Sequence, residues 1–168
     1  METIAELFDL TGRGAIVTGG AMGIGQAIAF RLSEAGAGVT IADVNLEAAR
    51  KTVDEIKTRG GRAQAIEADA RSAEDAKKVA QGTVDAFGSL DVLVNNAGIY
   101  PLLPVMQVEE DLWDQVIDIN LKGSFLYAKA AAEVMIQAGK GGKIIKKVVF
   151  VLCDPEGNGP GWLEINEG

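Results

Sequence analysis

The sequence predicts an α/β fold with a doubly wound parallel sheet of about five strands. Short apolar runs alternate along the 168 residues with amphipathic stretches of helical length. Strands that alternate with helices are joined by right-handed crossovers, so neighbouring strands run parallel. A glycine cluster, TGGAMGIG at 18–25, lies between the first apolar run and the first amphipathic stretch. This placement is typical of the first strand-turn-helix unit of such a sheet.

Apolar runs mark the predicted strands and apolar spacing marks the predicted helices. The strands are GAIVTG (14–19), VTIAD (39–43), RAQAIEAD (62–69), LDVLVNN (90–96) and KIIKKVVFVLCD (143–154). Helices are predicted at 23–35, from Leu46 to the glycines at 60–61, after Ser72, at 109–120 and at 123–139. Ser72 is expected to cap the third helix, with Asp75 three residues on as in a capping box.

Charge and composition argue against several classes of function. The formal net charge is −8, which disfavours nucleic acid and anionic membrane surfaces as partners. The chain has no histidine and a single cysteine, Cys153, so we expect no metal site and no intrachain disulfide. Catalysis by a histidine base is excluded for the same reason.

Targeting signals are also not expected. No apolar run reaches the ~18 residues of a membrane span. The start, METIAELFDL, lacks the basic and then apolar layout of a signal peptide. These features predict no membrane partner and a cytoplasmic location.

The three glycines at 19, 23 and 25 each have a distinct task at a nucleotide site. Gly19 permits the tight turn, Gly23 lets backbone approach a pyrophosphate, and Gly25 lets the helix pack against the strand. The N–H groups at the start of the helix then face the phosphates. The alternative is a glycine turn that binds nothing.

Asp43 ends the second predicted strand, 18 residues after Gly25. Its carboxylate can accept both hydroxyls of an adenosine ribose and would repel a 2′-phosphate. Neither Met22 nor Val44 is a basic residue that would favour that phosphate. The sequence therefore predicts NAD rather than NADP. A helix cap is the alternative role for Asp43, and both roles are compatible.

Further polar residues end the third and fourth strands, where ligands bind in sheets of this kind. Asp69 can accept a hydrogen bond from an adenine amino group. Its alternative role is that of an acidic residue that stabilises a helix N-terminus. Asn95, Asn96, Ala97 and Gly98 leave room for a ribose or nicotinamide against backbone. For Asn95 the alternative is a role in holding neighbouring strands together.

Together these residues resemble the short-chain dehydrogenase/reductase family. The motifs are TGGAMGIG, Asp43, Asp69, NNAG at 95–98 and Asn120 in VIDINLKGSF, in the family's order over about residues 5–145. The resemblance implies a Rossmann-type sheet and hydride transfer between a nicotinamide cofactor and a small-molecule alcohol or carbonyl substrate. The cofactor residues it implies are Gly19, Met22, Gly23, Ile24 and Gly25 at the pyrophosphate, Asp43 and Val44 at the adenosine ribose, Asp69 and Ala70 at adenine, and Asn96, Ala97 and Gly98 at the nicotinamide-side ribose.

The family's catalytic group is an Asn, a Ser, a Tyr and a Lys, and only the Asn, Asn120, is matched here. Residues 146–149 are KKVV where the resemblance places the serine, and no serine occurs at or after that point. The Y-x-x-x-K motif should follow, but the two tyrosines, Tyr100 and Tyr127, both come too early. Tyr127 has Ala131 four residues on, where the motif needs lysine.

Three hypotheses about function follow. The first is an NAD-binding domain at 1–145, with a divergent tail at 146–168, that transfers no hydride. The second is an authentic NAD-dependent oxidoreductase whose chain is truncated or frame-altered after about residue 145. The third is a non-catalytic interaction module.

The tail and the last helix suggest contacts between chains. VVFVLCD and WLEIN flank PEGNGPG, which predicts a hairpin that pairs back on the fifth strand or on a partner chain. Trp162 would be its apolar anchor, and a frayed tail is the alternative. The fifth strand is expected to be an apolar edge strand without a partner, and the helix at 123–139 is apolar over most of its surface. Together they predict a homo-oligomer.

Overall fold

The sheet has the predicted doubly wound architecture. The structure, a computed structural model, describes residues 3–147, 151–153 and 160–162. Five parallel strands pair in the order β3-β2-β1-β4-β5. Their bounds are β1 Gly14–Thr18, β2 Gly38–Asp43, β3 Arg62–Glu67, β4 Val92–Asn95 and β5 Lys143–Lys146. The predicted fold class is confirmed.

Helices cover both faces of this sheet. They are α1 Ile4–Leu7, α2 Gly23–Glu34, α3 Leu46–Thr58, α4 Ala73–Phe87, α5 Glu110–Ile117 and α6 Gly123–Gln137, with a 3₁₀ turn at Val105–Gln107 and a π-helical turn at Asp118–Lys122. Helices α2 and α3 pack on one face, and α4 and α6 pack on the other. Side chains alternate along β1, so Val17 packs with residues of α2 and α3 and Ile16 packs with residues of α4 and α6.

The last predicted strand is divided in the structure. Strand β5 ends at Lys146, and the later part of the apolar run, Val151–Cys153 (β6), pairs antiparallel with Pro160–Trp162 (β7). The prediction of a single strand over 143–154 is therefore wrong. The β6–β7 pair forms a two-stranded sheet of its own, not an extension of β5. The predicted anchoring by the Trp162 side chain lies outside what the structure describes.

Asp91 fastens the amino-terminal ends of β1 and β4 to each other. Its buried carboxylate accepts hydrogen bonds from Gly14 N at 2.9 Å, from Arg13 Nη1 at 3.0 Å and from the Ser89 hydroxyl. Burial opposes ionisation of Asp91, but these three donors outweigh it and keep the pKa of the carboxyl below its usual value.

Replacing Asp91 with Asn should remove a pH-dependent part of the stability. A carboxylate whose pKa is lowered in the folded state stabilises it above the unfolded pKa and loses this effect as pH falls through the folded pKa. We expect D91N to lower the free energy of unfolding by about 1–3 kcal/mol at neutral pH, and by less at pH 3 and below. Urea denaturation at both pH values measures this.

The control is Asp54→Asn, because Asp54 is exposed on α3. Equal losses for D91N at neutral and acidic pH would contradict the assigned role of the Asp91 charge.

Candidate nucleotide-binding site

A pocket of about 390 Å³ opens at the carboxyl ends of the central strands. The chain runs from β1 outward to β2 and β3 and then crosses back to β4 and β5 on the other side of β1, so the crevice between β1 and β4 lies where strand order reverses. Of the twelve residues predicted to bind the cofactor, eleven line this pocket, and Gly23 is the exception. The lining also contains Thr18, Ala42, Ala68, Ile99, Tyr100, Ile119, Tyr127 and Lys147.

The glycine loop leaves no room for side chains on its inner side. A Cβ on Gly25 would lie 2.1 Å from Gly19 O, and one on Gly19 would lie 2.9 Å from Ala97 Cα. Gly19 and Gly23 have φ of +62° and +58°, a region that L side chains rarely adopt. A Cβ on Gly23 would meet nothing within 4 Å, so this glycine faces open space.

The start of α2 supplies donors for an anion. Met22 is the N-cap residue, and its side chain makes no capping hydrogen bond. The first N–H groups of the helix are therefore not satisfied by a cap, and the helix dipole favours a negative group there. A dinucleotide pyrophosphate fits the open space, the free donors and the glycine backbone together.

Asp43 stands at the end of β2 with its carboxylate held by backbone. Its Oδ2 accepts from Ala21 N at 3.1 Å and its Oδ1 from Asn45 N at 2.9 Å. Asn45, not Asp43, caps α3, because Asn45 Oδ1 accepts from Ala48 N at 3.0 Å. The alternative role of Asp43 as the helix cap is therefore wrong, and its charge lies on the pocket wall beside Val44.

Asp69 and Ala70 form the wall after β3. The Asp69 carboxylate is paired with the Arg71 guanidinium at 2.6 Å, and hydrogen bonding by Arg71 holds the pKa of this carboxyl below its usual value. Ser72 caps α4 as predicted, accepting from Asp75 N at 3.1 Å. The Asp75 carboxylate accepts from Asp69 N at 3.0 Å rather than from Ser72, so the capping box is not completed.

Asn96 ties the end of β4 to the glycine loop. Its Nδ2 donates to Thr18 O and to Gly19 O, both at 3.0 Å, and Ala97 N donates to Thr18 Oγ1 at 3.0 Å. A Cβ on Gly98 would lie 2.8 Å from the Tyr100 hydroxyl oxygen, so Gly98 leaves space for that ring. The strand-linking role considered for Asn95 is thus seen for Asn96.

Asn120 positions the wall beyond Gly98. It lies in the π-helical turn between α5 and α6, and its side-chain amide pairs with the backbone of Ile99. Ile99 N donates to Asn120 Oδ1, and Asn120 Nδ2 donates to Ile99 O, both at 2.9 Å. The two predicted helices therefore form one continuous helical run that contains an expanded, π-helical turn. Such turns inside helices are frequent at functional sites.

Sequence reasoning did not assign Lys147 to the site, whereas Tyr100 belongs to the apolar loop IYPLLPV (99–105), which the sequence predicts as one wall of the substrate pocket. Lys147 Nζ lies 3.5 Å from Asn96 Oδ1 and 5.8 Å from the centre of the Tyr100 ring. The position of Lys147 directly after β5 is a signal that was available, since ligands contact the carboxyl ends of strands.

Neither tyrosine has the environment of a general base. Burial raises the pKa of Tyr127, and the charges of Asp75 and Asp69 raise it further. Burial also raises the pKa of Tyr100. A tyrosine that acts as a base at neutral pH needs a lowered pKa, and the pKa of each tyrosine is raised here, so both phenols stay protonated.

Two features are absent from the part of the chain that the structure describes. In that part of the chain, no helix has the length and apolar character needed to cross a bilayer. Among residues 3–147, 151–153 and 160–162, no group of three His, Cys, Asp or Glu side chains is arranged to hold a metal ion.

Known proteins are similar to this chain in sequence and in fold. The family model for short chain dehydrogenases matches residues 13–149. Sorbitol dehydrogenase of Cereibacter sphaeroides is 41% identical over 136 residues, covering 81% of this chain and 52% of the relative. A 3-oxoacyl-acyl-carrier-protein reductase of Staphylococcus aureus is 40% identical over 145 residues, covering 85% and 59%. A solved short-chain type dehydrogenase/reductase from Mycobacterium marinum superposes with a TM-score of 0.83 at 34% identity, covering 86% of this chain and 59% of that one.

The chain thus spans between half and three fifths of the length of these relatives. The matched region contains the five parallel strands and the residues that line the pocket. On the match over residues 13–149 and these identities, the chain belongs to the short-chain dehydrogenase/reductase family of oxidoreductases.

Proposed function

We propose that these 168 residues bind NAD(H) in the pocket at the β1–β4 crevice and transfer no hydride. The observation that carries the proposal is the glycine loop, where open space at Gly23 meets the uncapped start of α2 beside the Asp43 carboxylate. A cytoplasmic location and a division into a binding domain at 1–145 and a tail at 146–168 belong to the same proposal.

Each part of the dinucleotide has a matching set of residues. Gly19, Met22, Gly23, Ile24 and Gly25 would hold the pyrophosphate, Asp43 and Val44 the adenosine ribose, Asp69 and Ala70 the adenine, and Asn96, Ala97 and Gly98 the nicotinamide-side ribose. When bound in a complete enzyme, the nicotinamide supplies the carbon that accepts or donates the hydride. In this chain the residues around it bind and orient.

The charge of Asp43 supports NAD over NADP. Its two oxygens are already fixed by Ala21 N and Asn45 N, so the carboxylate is held in place before the ligand arrives. An ionised carboxylate accepts from ribose hydroxyls and repels a 2′-phosphate. Met22 and Val44 beside it are exposed and carry no compensating positive charge.

The absence of hydride transfer is supported by what surrounds the nicotinamide end. Asn120 is engaged with the Ile99 backbone, and the 168 residues contain no serine after Ser124. Both tyrosines are held in their protonated form by burial. Among the described residues that line this end of the pocket, neither tyrosine would therefore take a proton from a substrate oxygen.

Asp43→Asn should weaken NAD binding and reduce the preference over NADP. A hydrogen bond to a charged group contributes about 1.5–3 kcal/mol, so we expect the Kd for NAD⁺ to rise about tenfold or more. The Kd for NADP⁺ should fall or stay constant, because the repelling charge is gone. Isothermal titration calorimetry with both nucleotides measures the ratio, with Asp54→Asn as control. An unchanged ratio would contradict the role of Asp43.

Hydride transfer should be absent under conditions where the nucleotide is bound. NADH absorbance is followed with a panel of secondary alcohols and ketones, at a nucleotide concentration shown by calorimetry to saturate the pocket. We expect no rate above the protein-free control. The sorbitol dehydrogenase of Cereibacter sphaeroides, run with sorbitol, shows that the assay detects turnover.

Turnover by this chain would overturn the proposal that it transfers no hydride. The 41% identity to a named dehydrogenase over 136 residues supports the second candidate, an authentic NAD-dependent oxidoreductase whose chain is truncated or frame-altered. The hypothesis of a frame-altered chain has its own test, since the nucleotide sequence around codons 140–168, read in the other frames, should then encode a serine and a Y-x-x-x-K.

A homo-oligomer is proposed because apolar side chains are exposed along the α5–α6 run. The exposed fractions are 59% for Trp113, 65% for Leu121, 63% for Phe125 and 76% for Ile136. Large exposed apolar side chains clustered on one run of helix are typical of an interface. A second copy of the chain would cover them, as in symmetric assemblies with a shared patch.

Phe125→Glu should dissociate the assembly, because a charge would be buried without a partner. Sedimentation velocity should show a species larger than the monomer for the wild type and the monomer for this variant. Lys57→Glu, on α3 at the opposite face of the sheet, is the control and should not change the assembly. A wild type that stays monomeric at high micromolar concentration would contradict the proposal.

A further inference from the structure

Lys147 places a positive charge at one end of the pocket. Lys147 N donates to Asn95 O at 3.1 Å, which fixes the backbone of this residue against the end of β4. Its Nζ lies 3.5 Å from Asn96 Oδ1, and the Asn96 Nδ2 is turned away towards Thr18 O and Gly19 O. The ammonium also lies 5.8 Å from the centre of the Tyr100 ring.

The pocket is therefore electrically asymmetric. Among the described lining residues the acidic ones are Asp43, at the end of β2, and Asp69, which follows β3. Among the described residues that line it, Lys147 is the one Lys or Arg, and it lies on the β4–β5 side. If the cofactor lies as proposed, the adenosine faces the carboxylates and the nicotinamide faces the lysine.

The two redox forms of the cofactor differ in one charge at that end. The oxidised nicotinamide ring carries a formal positive charge and the reduced ring is neutral, while the adenosine and pyrophosphate parts are identical. We propose that Lys147 makes the pocket select the reduced cofactor, because its ammonium opposes the positive charge of the oxidised ring. This inference rests on the proposed binding of NAD(H).

Coulomb's law gives the size of the expected effect. We take a separation of about 8 Å between the Lys147 ammonium and the oxidised nicotinamide ring, and an effective dielectric constant of about 40. Repulsion between these two like charges then weakens the binding of the oxidised cofactor about fivefold. Attraction between Lys147 and the pyrophosphate acts equally on both redox forms, so it cancels in the ratio of their dissociation constants. The ratio is therefore the quantity to measure.

Calorimetric titrations with NADH, NAD⁺ and ADP-ribose test the inference on the wild type and three variants. Lys147→Gln should lower the ratio of the Kd for NAD⁺ to the Kd for NADH about fivefold. Lys147→Arg keeps the charge and should keep the wild-type ratio. Lys143→Gln removes the same charge at the opposite end of β5 and should also leave the ratio unchanged.

The outcomes distinguish failure of the Lys147 inference from failure of the proposed cofactor binding. If the wild type binds both redox forms and Lys147→Gln leaves the ratio unchanged, the inference is wrong while the proposed function stands. If the wild type binds neither NADH, NAD⁺ nor ADP-ribose at millimolar concentration, the proposed function is wrong and the inference falls with it. A ratio lowered equally by Lys143→Gln would also overturn it, since the effect would then not belong to the pocket.

Discussion

The Asn96 side chain is the contact on which the pocket depends. Its amide bridges the end of β4 to Thr18 O and Gly19 O, so the glycine loop and the end of β4 keep a fixed spacing. Close packing completes the constraint, because a Cβ on Gly25 would lie 2.5 Å from Asn96 Nδ2. The start of α2 is thereby held against the crevice, with its free donors facing open space.

Fixed charge then divides the pocket into two ends. Asp43 is preorganised by two backbone donors, and Asp69 is kept ionised by Arg71. Lys147 lies at the other end, beside Asn96 and Tyr100. Groups that are positioned before a ligand arrives discriminate between ligands at little entropic cost. The proposed choices of nucleotide and of redox state would thus arise from different ends of the same pocket.

The sequence predicted the parts of the site that follow from local pattern. TGGAMGIG, Asp43 and NNAG each lie at the carboxyl end of a strand, and the parallel topology brings these strand ends together. It did not predict the contact of Lys147 with Asn96, because these residues are 51 positions apart and meet only through the β4–β5 pairing. The sequence analysis considered Asp43 as the cap of α3, whereas the cap is Asn45, two residues later. Both residue types are good N-caps, so the pattern alone does not distinguish them. The divided last strand was missed because an apolar run does not reveal which partner each part will choose.

The most direct test of cofactor binding in this pocket is a backbone amide NMR titration of the 168-residue chain with NADH. Binding there should give saturable shifts that include Gly19, Gly23 and Gly25 in the glycine loop and Asn96 to Gly98 after β4, with amides at the far ends of the strands unchanged. Shifts confined to other surfaces, or none at millimolar NADH, would contradict the claim that this pocket binds the cofactor.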